Sequence, residues 1–88
     1  MNKQERMKII RDRLQSQFAP SYLDVIDDSD KHIGHAGAEG GAGHYTVIIQ
    51  ADAFKNQSRI ESHRAIYHVL NDLIPHEIHA LRILPPVS

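Results

Sequence analysis

The sequence predicts an α+β fold, ordered αββααβ, with helices packed on one face of a three-stranded mixed sheet. Two stretches carry apolar residues at helical spacing, and three short stretches show the alternation or β-branched enrichment of strands. Their order is helix, strand, strand, helical turn, helix, strand, which layers the helices on the sheet. A chain of 88 residues suits one domain, 1–88, because domains of this size bury about 60% of their unfolded surface and build only a modest core.

In the first helix, 2–18, Met7, Ile10, Leu14 and Phe18 form the apolar stripe, Asn2 and Glu5 resemble a capping pair, and Pro20 ends the run. Residues 22–27 (YLDVID) set Leu23 and Val25 against Asp24, as a short half-buried strand does. Residues 28–43 hold all five glycines, too many conformationally free positions for a regular element, and read as a long mobile loop. Residues 44–51 (HYTVIIQA) are apolar on both faces, which marks a central strand. A short helical turn anchored by Phe54 fits 52–57. The Ser58-Arg59-Ile60-Glu61 capping box then opens a second helix, whose Ile66, Leu70, Leu73 and Ile74 run on to Pro75. Residues 76–84 (HEIHALRIL) alternate as a third strand, stopped by Pro85 and Pro86.

The connection between the second and third strands contains a helix, so the two should lie parallel with a right-handed crossover and begin at the same end of the sheet. That places His76 and His79 at the edge where the glycine-rich loop brings His32, His35 and His44. Imidazoles gathered by a loop and a strand suit zinc, copper, nickel or iron. The same spacing is equally that of solvated loop histidines and half-exposed strand residues.

Composition narrows the function classes. Hydrophobic residues at 41% and charged residues at 24% describe an ordinary folded protein, and a formal charge of -1 gives no field for sequence-independent nucleic-acid binding. Seven histidines make the charge sensitive to pH near 6. The absence of cysteine removes disulfides, thiolate nucleophiles and thiolate metal sites from this chain. No secretory h-region and no bilayer-length apolar stretch is present, so the expectation is a cytoplasmic protein without membrane contact.

Catalysis has little support: capping accounts for Ser58, no nucleophile has a base near it in sequence, and the carboxylates are scattered. We expect no enzyme. Phosphate-cradling glycine motifs are missing, and the Gly40–Gly43 run precedes a strand instead of opening a helix. His63 lies in line with Ile66 and Leu70 and reads as a partly buried packing residue with a backbone hydrogen bond. Arg64 suits an acidic group or a phosphate, or simply solvent.

Four blocks, DVIDDSDKH (24–32), GHYTVIIQADAF (43–54), SRIESHRAIYHVLNDLI (58–74) and IHALRI (78–83), together resemble the BolA-like protein family over almost the full chain. Two positions depart from the family pattern: Asn56 stands where glycine is common, and Ser62 replaces the arginine before His63-Arg64. The resemblance implies a type II KH-like fold without the Gly-x-x-Gly nucleic-acid loop, consistent with the Lys55-Asn56-Gln57 connection. It further implies an adaptor that pairs with a monothiol glutaredoxin around a shared 2Fe-2S cluster, in iron homeostasis or cluster delivery. The histidine of the His-Ala-Leu strand transfers to His79. The loop ligand falls at His32 when counted from Asp27-Asp28-Ser29, with His35 in reserve. Because this chain has no thiolate, sulfur ligands would come from the glutaredoxin cysteine and glutathione. Imidazole ligation should also be lost in acid, since a protonated ring cannot coordinate iron.

The family is also associated with transcriptional regulation, which leaves a second reading in which Lys55, Arg59 and Arg64, with His63 on the same helix, form a partner or DNA surface. For the isolated protein, the expectation is a monomer or a weak homodimer.

Overall fold

Asn2 fixes where the chain becomes helical. In the computed structural model, which describes residues 2–29 and 43–86, its Oδ1 accepts the Glu5 N–H at 2.8 Å and its Nδ2 donates to Glu5 Oε1 at 2.8 Å. Helix α1 then runs Lys3–Phe18 and ends at Ala19, whose left-handed backbone (φ 44°) returns its N–H to the Gln15 carbonyl at 3.0 Å just before Pro20.

Strand β1 spans Tyr22–Asp27, β2 Gly43–Gln50 and β3 Ile78–Leu84. The sheet order is β1-β2-β3, with β2 antiparallel to β1 and parallel to β3. The mixed sheet and the central place of β2 match the sequence reading. Along β2, Tyr45, Val47 and Ile49 point into the core, where they meet Val25 of β1 and the partly buried Leu81 and Ile83 of β3. Ile10 and Leu14 of α1 and Ile66 and Leu70 of the second helix join the same cluster, so both helices cover one face.

After β2 a short 3-10 turn, Asp52–Phe54, places Phe54 against Phe18 with ring centroids 4.9 Å apart. Helix α2, Arg59–Leu70, starts on the full Ser58–Glu61 capping box. The sequence extends this helix to Pro75, but its last turn tightens into a 3-10 segment, Asn71–Leu73. The sequence also starts the third strand at His76. Pro75 has no N–H to donate and the Glu77 N–H turns back to the Leu73 carbonyl at 2.8 Å, so pairing with β2 begins only at Ile78. Among the described residues no helix is long and apolar enough to cross a membrane.

Candidate metal centre

The candidate site lies where the parallel strands β2 and β3 begin. Gly43 pairs with Ile78, but the next residue, His44, pairs with Ala80. His79 is therefore the extra residue of a bulge, a device that bends a strand and re-aims a side chain. Its ring is tilted 53° against that of His44 with centroids 5.0 Å apart. The two differ in access: His79 is exposed, whereas His44 is 7% exposed.

The bulge rests on a polar support from α1. Arg6, 6% exposed, donates from Nη2 and Nε to Glu77 Oε2 at 2.8 and 3.1 Å, and from Nη1 to the Tyr45 hydroxyl at 3.2 Å. The Glu77 carbonyl accepts the Gly43 N–H at 2.9 Å. Burial, the largest influence on Arg6, works against its charge, yet the hydrogen bonds to Tyr45 and Glu77 outweigh it and hold the guanidinium pKa above the ordinary value. Burial raises the Tyr45 phenol, with Arg6 opposing. Gly43 must be glycine here: a Cβ would stand 2.4 Å from Cε2 and the hydroxyl oxygen of Tyr45.

The Asp27-Asp28-Ser29 stretch ties the end of β1 to the same edge. Asp27 Oδ1 accepts the Ser29 N–H at 2.8 Å, the Asp28 N–H donates to the His44 carbonyl at 2.7 Å, and Ser29 Oγ accepts the His44 N–H at 3.1 Å. The Thr46 hydroxyl donates to Asp28 Oδ2. The chain thus leaves β1 beside His44 and re-enters the sheet at Gly43.

His32 and His35 lie outside the described residues. Among the described ones the structure brings His44 and His79 together, and no group of three or more His, Cys, Asp or Glu could hold a metal ion. His76 is an exposed residue of the turn before β3, not an early strand residue.

The basic candidates separate. Lys55, Arg59 and His63 line one cleft at the opposite end of the sheet, while Arg64 lines a shallow depression with Tyr67 and His68. His63 is half-buried, as its stripe position predicts, but its ring makes no hydrogen bond among the described residues, so the expected backbone bond is absent.

Sequence reasoning missed Arg6, Glu77 and the bulge. One signal existed: Arg6, Ile10 and Leu14 share a helical face, and an arginine on an apolar stripe calls for a buried acceptor.

A family profile described as BolA-like protein matches residues 14–85. The chain belongs to the BolA family. Similar proteins include SufE-like protein 1, chloroplastic/mitochondrial, of Arabidopsis thaliana, 39% identical over an 80-residue alignment that covers 85% of this chain and 22% of that protein. The DNA-binding transcriptional regulator BolA of Haemophilus influenzae is 33% identical over 76 residues, 86% of this chain and 71% of that one. The chain therefore spans most of one relative and less than a quarter of the other. Among solved structures, the BolA domain of SufE1 from Arabidopsis thaliana superposes with a TM-score of 0.80 at 33% identity, covering 97% of this chain and 92% of that one. BolA1 from the same plant gives 0.76 at 28%, covering 91% and 88%. The α+β architecture with its three-stranded mixed sheet is that of these BolA domains.

Proposed function

We propose that this BolA-like chain is an adaptor that shares a 2Fe-2S cluster with a monothiol glutaredoxin, with His79 and His32 supplying its two ligands and His35 in reserve. The observation that carries the reading is the bulge at His79. It presents an exposed imidazole at the rim where the chain departs at Ser29, and His32 follows Ser29 by three residue steps, which reach at most about 11 Å.

The donor set fits such a group only in part, and the part is informative. This chain offers imidazoles and no thiolate, so it can complete a cluster but not enclose one. The sulfur ligands would come from the glutaredoxin cysteine and from glutathione. When bound, the cluster supplies one-electron chemistry at a potential that histidine ligation raises. The chain's own part is positional: Arg6 and Glu77 fix the turn before β3, Gly43 keeps it close to Tyr45, and the bulge turns His79 outward. His44 packs against the His79 ring and limits its freedom.

Anaerobic reconstitution with a monothiol glutaredoxin, iron, sulfide and glutathione tests this. The heteromeric complex should show visible absorbance and circular dichroism that change in His79→Ala and in His32→Ala. Unchanged spectra in both variants reject the assignment.

A second reading, DNA binding, is favoured by the name of the Haemophilus relative, a DNA-binding transcriptional regulator of which this chain covers 71%. It would use Lys55, Arg59 and Arg64, with affinity falling steeply as salt rises and with no dependence on His79. Titration of DNA at two salt concentrations against His79→Ala and Arg59→Gln separates the two readings.

A further inference from the structure

The far end of the sheet carries a cleft whose apolar floor neither reading uses. A cleft of about 450 Å³ opens where β2 and β3 end, floored by Ile49, Phe54, Ile66 and Ile83 and rimmed by Lys55, Arg59 and His63. It lies five residues along β2 from His44, roughly 17 Å away. Its size falls within the range of small-molecule sites, which combine apolar walls with a few placed polar groups.

The charges on its rim are of one kind. No carboxylate is among the described residues that line it. Lys55 is 3.8 Å from Asp52, an exposed pair of little strength, while Arg59 and His63 have no side-chain partner among the described residues. The start of α2 does not supply the attraction, because the Ser58–Glu61 box already caps it. A phosphodiester backbone would leave the apolar floor unused, and a neutral apolar ligand would leave the cations unused.

We propose that this cleft binds a small amphipathic anion, with a carboxylate or phosphate head on Arg59 and His63 and an apolar body laid over Ile49, Phe54, Ile66 and Ile83. Charge-assisted hydrogen bonds fix the head, and burial of the chain supplies the rest. The inference is independent of the proposed cluster site.

The test follows backbone amide shifts of the full chain during titration with octanoate, octyl phosphate, octanol, acetate and a short single-stranded DNA. The expected result is saturable shifts confined to residues 49–66 and 83–84 with octanoate or octyl phosphate, and which of the two binds more tightly identifies the head group. Octanol should bind about tenfold more weakly, acetate should not saturate, and Arg59→Gln should lose about tenfold in octanoate affinity. Arg59 is exposed, so the variant should keep the wild-type spectrum elsewhere. Equal binding of octanol, equal binding of acetate, or saturable DNA shifts at these amides with octanoate inert would each overturn the proposal.

Discussion

Glu77 accepts two hydrogen bonds from Arg6, a residue 71 positions earlier, through a single carboxylate oxygen at 2.8 and 3.1 Å. The contact fastens the first turns of α1 to the turn that leads into His79. The Arg6 side chain is 8% exposed and that of Glu77 28%, so the two partners have unequal alternatives. Water can reach the carboxylate more readily than the guanidinium.

That asymmetry fixes the order of two variants. Glu77→Ala takes the carboxylate from a buried guanidinium that keeps its bond to the Tyr45 hydroxyl and should cost about 2–3 kcal/mol, whereas Arg6→Met fills the volume with an apolar chain, leaves the more exposed carboxylate to water and should cost about 1 kcal/mol. Urea denaturation reads both. Glu77→Ala should also speed amide exchange at Gly43, whose N–H bonds the Glu77 carbonyl. Equal costs for the two variants would mean that packing, not the charge pair, holds this turn.

Gly43→Ala should destabilise the protein by about 1–3 kcal/mol, because the added methyl meets the Tyr45 ring and the ring is locked in the core. The double variant Gly43→Ala/Tyr45→Ala should cost less than the sum of the single changes, since removing the ring removes the clash. Strict additivity would show that the penalty arises elsewhere.

Tyr45 gives the fold an alkaline limit. Burial raises its phenol pKa in the folded protein, against an opposing pull from Arg6, so the folded state holds this proton more tightly than the unfolded chain. The contribution is intact below the unfolded value near 10 and is lost as pH rises through the folded value. Denaturation midpoints should fall as pH rises above about 10, and Tyr45→Phe should flatten that fall relative to Tyr22→Phe, which alters an exposed strand residue. The same slope in both variants would contradict the assignment.

Local chemistry explains which parts of the fold were legible. Strand β1 has the predicted limits because Pro20 and the Asp27-Asp28-Ser29 turn bracket it. The caps at Asn2 and Ser58 form as read because each bond spans three residues. Less legible were the features set by distant partners. Gly43 belongs to β2 because its N–H meets Glu77, and α2 ends at Leu70 before its predicted stop because the chain tightens toward Leu73. Alternation in HEIHALRIL places His76 and His79 in one strand, but period alone cannot show an inserted residue, so the bulge stays hidden. His44 shows the same limit: its sequence position places it at the edge with the loop histidines and does not show its burial, and the structure gives a mostly buried ring beside an exposed one.

The proposed ligation is open to direct observation in a complex reconstituted with a monothiol glutaredoxin. With histidine of this chain labelled with ¹⁵N and the cluster reduced, electron-nuclear double resonance should detect two coupled nitrogens, one lost in His79→Ala and the other in His32→Ala. A spectrum without ¹⁵N coupling from this chain, or one in which both couplings survive in His79→Ala, would contradict the account.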